Sequence, residues 1–128
     1  MAYVIGCLMA ALSFLINRAL LLYIGPVVVV GLSPIMEETA KTLLAYWLKA
    51  DILVTHITFG IIEAVYDWHH SRKSGLTAGF MSILGHSFFG AVTTGILLLS
   101  GNIFLGLVAG MAVHLAWNAT VIRLISSK

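Results

Sequence analysis

Two adjacent glutamates, Glu37 and Glu38, are the residues of this sequence best suited to chemistry. They lie in an otherwise apolar stretch, since Ala19–Met36 carries no charge and Lys41 is the only charged residue among the ten that follow Glu38. A charged side chain near the centre of a bilayer costs roughly 2.5–3.5 kcal/mol on insertion scales. Two carboxylates placed there side by side indicate that the pair has a function.

Further polar residues interrupt the apolar stretches that follow. We compared the depths of these polar residues and of the two glutamates within the predicted spans. At 1.5 Å per residue, all of them fall within a slab of roughly 12 Å. A conduit would spread polar groups through the whole bilayer, so a common depth predicts a site. These candidate site residues are Glu63, His86, His114 and Asn118.

Together these side chains could hydrolyse an amide without a serine or cysteine nucleophile. A desolvated glutamate suits a general base, and a histidine beside it can share the proton and orient a water molecule. A second histidine and an asparagine could stabilise the oxyanion of a tetrahedral intermediate. Zinc is the open alternative, because it binds imidazole and carboxylate and activates water. Its candidate ligands are Glu38, Glu63, His86 and His114, although no His-Glu-x-x-His motif is present.

Structural roles compete with these assignments. Lys41 follows Glu37 by four residues and Glu38 by three, so an ion pair is available to either. Ser33 could cap a helix that has Pro34 in its first turn. The buried histidines and Asn118 could simply join helices by hydrogen bonds. A structural role is expected for residues at span ends or in loops, namely His56, Asp67, His69 and His70.

Helical geometry adds two expectations. Glu37 and Glu38 differ by about 100° around a helix, so we expect only one of them to face the site. Residues spaced by four form one row, and small residues in such a row let membrane helices approach closely. Two faces of this kind are predicted, one with Gly106, Gly110, His114 and Asn118, the other with Gly79, His86 and Gly90.

Composition predicts an all-α, polytopic transmembrane helical bundle that forms a single domain over residues 1–128. The chain is 60% hydrophobic and 9% charged, whereas soluble domains are about 25% charged. A net charge of +2 without a basic, aromatic-interleaved patch argues against a nucleic-acid partner. The single cysteine, Cys7, excludes an intrachain disulfide.

The apolar stretches predict about five spans, of which the second is broken. Ala19–Leu48 is too long for one straight span and contains Gly25-Pro26, Gly31 and Ser33-Pro34. No internal repeat is apparent. The predicted spans are Met1–Asn17, Ala19–Leu48, Ile52–Trp68, Leu76–Leu99 and Ile103–Ile122, with turns at 49–51 and 100–102 and a polar loop at 69–75.

The distribution of basic residues predicts orientation. Five of them fall on one side of this arrangement, which the positive-inside rule places in the cytoplasm. The N-terminus is then outside and the C-terminus cytoplasmic. These residues are Arg18, Arg72, Lys73, Arg123 and Lys128.

The motifs resemble those of PrsW-type intramembrane proteases, a group similar to the CAAX-processing and bacteriocin-processing proteases. Glu37-Glu38-Thr39-Ala40-Lys41 matches the Glu-Glu-x-x-Lys signature, and Phe59–Glu63 resembles the second motif. His86 stands where the third motif has its histidine, and His114–Asn118 resembles the terminal His-x-x-x-Asn segment. The CAAX group has an arginine where this chain has Thr42, so the motifs of this chain match the PrsW-type group better.

The resemblance covers about residues 33–122 and implies an endopeptidase in a prokaryotic-type cell membrane. Glu37 or Glu38 with His86 would activate water, and His114 with Asn118 would hold the oxyanion. The expected partners are membrane lipid and a peptide or membrane-protein substrate. Family members usually have more spans, so a homo-oligomer could complete the cavity. The alternatives are a small proton-coupled transporter, a metal- or haem-binding membrane protein that uses His86 and His114, and a non-catalytic relative.

Overall fold

The computed structural model describes residues 1–25, 31–70 and 75–126, with side chains described up to residue 121. Every regular element in these ranges is a helix, which confirms the all-α prediction. The five helices are α1 (Ala2–Tyr23), α2 (Leu32–Trp47), α3 (Ile52–His70), α4 (Gly75–Ser100) and α5 (Ile103–Ser126).

Three of the described helices are long and apolar enough to cross a membrane, namely α1, α4 and α5 over Ile103–Val121. This agrees with a membrane protein. At 1.5 Å per residue, the 16 residues of α2 extend about 24 Å, less than the roughly 30 Å of a hydrocarbon core. The 19 residues of α3 include His56, Glu63 and Asp67. A bundle of five spans therefore stays a prediction.

The predicted boundary between the first two spans is wrong. Arg18 does not end α1, which continues to Tyr23 because arginine and leucine are both good helix formers. The helix ends just before Gly25, which has a φ of +91°, a conformation that glycine adopts readily. Residues 19–23 therefore belong to the first helix, although the prediction assigned them to a broken second span. Pro26 lies outside the described residues.

The start of α2 also differs from the prediction. Gly31 is the N-cap residue and makes no side-chain capping bond. The Ser33 hydroxyl instead lies 2.6 Å from Asn17 Oδ1 on α1 and 2.9 Å from Glu37 Oε1. Ser33 therefore links α1 to α2 and does not cap α2.

Both short turns that the sequence predicts are present. Lys49 has a φ of 53° between α2 and α3, and the Asp51 carboxylate accepts the Val54 N–H at 2.9 Å. Gly101 has a φ of 67° between α4 and α5, and Asn102 Oδ1 accepts the Phe104 N–H at 2.9 Å. Helix α3 runs two residues further than predicted, and loop residues 71–74 lie outside the described ranges.

Helices α3 and α4 pack through a reciprocal arrangement of histidine and glycine. A Cβ atom added at Gly60 of α3 would lie 2.9 Å from His86 Cβ of α4. One added at Gly90 of α4 would lie 2.7 Å from His56 Cβ of α3. Each glycine therefore makes room for the histidine of the other helix.

The glycine row of α5 also packs closely, against α4. A Cβ atom at Gly106 would lie 2.6 Å from the Thr93 carbonyl oxygen, and one at Gly110 would overlap the Thr93 hydroxyl. His114, one turn further along the row, is 4% exposed. The prediction that both glycine-containing faces are packing faces is confirmed, and both present buried histidines to the centre of the bundle.

Candidate active site

Glu38 lies at the centre of the buried polar cluster and is fully buried. Its Oε1 atom lies 2.7 Å from Lys41 Nζ and 2.9 Å from His114 Nδ1. Its Oε2 atom lies 2.9 Å from His56 Nε2. Both carboxylate oxygens are therefore bonded, and Glu38 joins α2 to α3 and α5. This saturation suits a residue that positions its neighbours.

A chain of hydrogen bonds continues from Lys41 to the edge of the cluster. Lys41 Nζ lies 2.8 Å from His86 Nδ1 and 4.4 Å from the centre of the Phe59 ring. His86 Nε2 lies 2.6 Å from Glu63 Oε2, which also accepts the Ser82 hydroxyl at 2.8 Å. An ammonium has no acceptor capacity, so Lys41 donates to Nδ1 and the His86 hydrogen is on Nε2, directed at Glu63.

His56 connects Glu38 to the backbone of α3. His56 Nδ1 lies 3.0 Å from the Ile52 carbonyl oxygen, and Nε2 lies 2.9 Å from Glu38 Oε2. Both ring nitrogens are therefore at hydrogen-bond distance from an oxygen, which holds the ring against Glu38.

Glu37 is 6% exposed and has hydrogen-bond partners different from those of Glu38. Its Oε1 atom accepts the Asn17 amide N–H at 3.0 Å and lies 2.9 Å from the Ser33 hydroxyl. Within the described part of the chain Glu37 forms no ion pair. Of the two adjacent glutamates, it is the one that is not held by a cation.

Both adjacent glutamates are buried, because α2 is enclosed on several sides. It packs against α1, α3 and α5. Two side chains 100° apart can both be buried in such a setting. Glu37 contacts Asn17 of α1, and Glu38 contacts His56 of α3 and His114 of α5. That only one of the two glutamates faces the site stays a prediction.

Glu37, His86 and His114 come together at one point in the bundle. One oxygen or nitrogen atom of each lies within 4.8 Å of those of the other two, and all three residues are buried. These residues are contributed by three different helices. Their separation is short enough for one water molecule to contact two of them at hydrogen-bond distance.

The orientation of His114 decides what it can do at this point. Its Nδ1 atom faces Glu38 Oε1, so with Glu38 ionised the ring hydrogen is on Nδ1. The other nitrogen, Nε2, then presents a lone pair. A carboxylate that fixes a histidine in this tautomer is the arrangement that prepares Nε2 as a base.

The donor set of Glu37, His86 and His114 matches zinc in type, since two histidines and one glutamate form catalytic zinc sites. Its members differ from the predicted ligand set, because Glu37 takes part and Glu38 and Glu63 do not. However, both ring nitrogens of His86 are already bonded, one of them to the ammonium of Lys41. A metal ion would have to displace Lys41 or Glu63, so we derive no step through a metal.

The structure brings Glu37, Glu38, Glu63, His86 and His114 into one cluster, in which Glu63 is partly exposed and the other four are buried. Asn118 is partly buried and lies one turn after His114 on α5. The cluster also includes residues that the sequence analysis treated as structural or left out, namely Lys41, His56, Asn17 and Ser33.

A short repeat in the sequence could have identified His56. His56-Ile57-Thr58-Phe59-Gly60 and His86-Ser87-Phe88-Phe89-Gly90 share the pattern His-x-x-Phe-Gly. In both segments the histidine, phenylalanine and glycine are buried. The expectation of no internal repeat therefore missed this motif, and His56 is not a peripheral residue of the third span.

No protein-family model, curated protein sequence or solved structure matches this chain. The arguments that follow rest on the residues and their arrangement.

Proposed function

We propose that this protein is an intramembrane endopeptidase in which Glu37 activates a water molecule for attack on a peptide bond. The observation that carries the proposal is the convergence of Glu37, His86 and His114 from three helices within 4.8 Å. Glu37 is the carboxylate of this set, and it lacks the ion pair that occupies Glu38. The resemblance to PrsW-type proteases points to the same reaction.

The proposed first step is general-base catalysis. A water molecule between Glu37 and His114 gives a proton to the Glu37 carboxylate while its oxygen bonds to the carbonyl carbon of the substrate. The carbonyl oxygen becomes the oxyanion of a tetrahedral intermediate. Glu37 then returns the proton to the amide nitrogen as the C–N bond breaks, which gives a carboxyl and an amine product.

His114 assists because Glu38 holds its ring. In the tautomer fixed by Glu38, the His114 Nε2 lone pair can accept a hydrogen bond from the same water. The second hydrogen of that water stays on the new hydroxyl of the intermediate, where His114 Nε2 continues to accept a hydrogen bond from it, and Asn118 is the residue that we assign to the oxyanion as a donor. Glu38, Lys41 and His56 act as positioning residues.

The substrate class follows from the surroundings. Three helices long and apolar enough to cross a membrane, and their exposed apolar side chains, support a site within reach of lipid. A peptide bond that meets Glu37 is therefore expected within an apolar segment of a membrane protein or a lipid-associated peptide.

The test uses the full chain in phosphatidylcholine vesicles with fluorogenic transmembrane peptides. Glu37→Gln keeps the shape of the side chain and removes the base, and we expect cleavage to fall by about 10²–10⁴-fold. Asp67→Asn is the matched control, because it makes the same change at a partly exposed carboxylate near the end of α3. Equal cleavage by wild type and Glu37→Gln would contradict the assignment.

Proton movement is a second candidate function, favoured by one observation. Glu38, Lys41, His86 and Glu63 form a continuous chain of contacts between 2.6 and 2.8 Å, and the Glu63 side chain is 30% exposed. Buried acids and histidines in such chains also serve as proton relays. Vesicles loaded with a pH-sensitive dye would show a proton flux that depends on Glu63 if this function is correct.

A further inference from the structure

A slot lies between α1 and α2 directly beside Glu37. Its cavity has a volume of about 50 Å³. Its polar lining consists of Ser13 and Asn17 of α1 and Glu37 of α2. Ser13 and Asn17 are four residues apart, so they follow one another along the same face of α1. This cavity, which we call the α1–α2 slot, reaches the proposed base.

The remainder of the slot is apolar. Leu12 and Ile16 of α1 face Met36 of α2 across it. Leu12 is 43% and Met36 36% exposed, so the outer part of the slot is open to the surroundings of the helices. The slot therefore has an apolar rim and a polar floor.

This combination fits an apolar peptide whose helix has been unwound. Apolar side chains can stay at the rim, but an unwound backbone in the bilayer has N–H and C=O groups with no water to bond. The hydroxyl of Ser13 and the amide of Asn17 can serve as partners for such groups. A lipid acyl chain has no groups that could form hydrogen bonds with this polar floor.

The slot is too small for a peptide in the present conformation. A volume of about 50 Å³ can hold a few water molecules but not a backbone with its side chains. Helix α1 would have to move. Its buried residues, Ala2, Ile5, Gly6 and Ala10, all lie in its first half. Gly6 fixes that half on Thr55 and Thr58 of α3.

The second half of α1 contains none of the buried residues of this helix. The Phe14 ring packs against the Tyr66 ring of α3, with ring centres 4.3 Å apart and planes inclined by 33°. Asn17 donates to Glu37 Oε1, and the Ser33 hydroxyl lies 2.6 Å from Asn17 Oδ1. The bond from Asn17 therefore closes the slot and also occupies an oxygen of the proposed base.

We propose that the second half of α1 swings away from α2 to admit an unwound apolar segment of a membrane-protein substrate, with Asn17 as the latch. Release of Asn17 opens the slot and in the same movement removes one of the two hydrogen bonds to Glu37 Oε1, the other being from Ser33. This inference rests on the proposed function, since it describes how substrate reaches Glu37.

Photocrosslinking tests the path independently of cleavage. A benzophenone amino acid replaces Leu12 in the slot or, as the control, Leu15, which is 69% exposed and not in the slot. Both variants carry Glu37→Gln so that any bound peptide stays intact. The probe is a biotinylated Leu/Ala transmembrane peptide of about 20 residues with a central Gly-Gly pair, in phosphatidylcholine vesicles.

We expect several-fold more peptide captured from position 12 than from position 15. Asn17→Ala should increase capture at position 12, whereas Thr39→Ala, which loses a bond only to Ile35 of its own helix, should not. Equal capture at both positions, or none at position 12, would overturn the inference. If position 12 captures the peptide but the protein with native Glu37 does not cleave it, the entry path is supported and the peptidase proposal fails.

Discussion

Glu38 Oε1 and His114 Nδ1 lie 2.9 Å apart although the two residues are 76 positions apart in sequence. The contact fixes the tautomer of His114 and joins α2 to α5. The same carboxylate bonds Lys41 and His56, so three buried groups depend on it. Glu38 is therefore the residue on which the geometry of the cluster depends.

Substitution of Glu38 should destabilise the protein more than substitution of Glu37. Glu38→Gln removes the charge that balances Lys41, and breaking a buried ion pair on one side typically costs about 3–5 kcal/mol. Glu37→Gln keeps an oxygen for the Asn17 bond and breaks no ion pair, so a loss of about 1 kcal/mol is expected. Thermal unfolding of both variants in detergent measures the difference, and equal stability would argue against the central position of Glu38.

The reciprocal glycines should tolerate no side chain. Gly90→Ala would place a methyl group 2.7 Å from His56 Cβ, and Gly60→Ala would place one 3.1 Å from the Ser82 carbonyl. Overpacking of this kind costs about 1–3 kcal/mol. Gly95→Ala on α4 is the control, because its Cβ would have no neighbour within 4 Å. Alanine there should be neutral or add up to about 1 kcal/mol of helix stability. If chemical denaturation shows that Gly95→Ala lowers the free energy of unfolding as much as Gly60→Ala and Gly90→Ala do, the packing described here is contradicted.

Chelators should leave peptide cleavage unchanged. Lys41 Nζ is hydrogen-bonded to His86 Nδ1, and Glu63 Oε2 is hydrogen-bonded to His86 Nε2. Both ring nitrogens of His86 therefore have partners without a metal ion. Cleavage assays with and without 1,10-phenanthroline measure this. Inhibition by the chelator and recovery with added zinc would show that a metal displaces Lys41 or Glu63 from His86.

Sequence patterns predicted the helices and the turns because these depend on local properties. The positive φ values of Lys49 and Gly101 occur where short polar interruptions separate apolar runs. The row of Gly106, Gly110 and His114 could be assigned to a packing face because its spacing of four is a property of one helix. Such features need no knowledge of neighbouring helices.

The partners of the site residues could not be predicted in the same way. Lys41 is equally within reach of Glu37 and Glu38 on a helix, and the choice of Glu38 depends on His56 and His114 from other helices. Asn17 appeared to be the end of a span, yet α1 continues past it and brings it against Glu37. Contacts between helices set these pairings, and a single sequence does not encode them locally.

Cleavage in ¹⁸O-labelled water tests the central claim most directly. The account predicts that wild type and Asp67→Asn cut a transmembrane peptide and leave one heavy oxygen on the new carboxyl terminus, seen as a 2 Da shift. Glu37→Gln should yield that product at least about 10²-fold more slowly. Absence of any cleavage by wild type, or labelled product formed at the same rate by Glu37→Gln, would contradict the role of Glu37 in activating water.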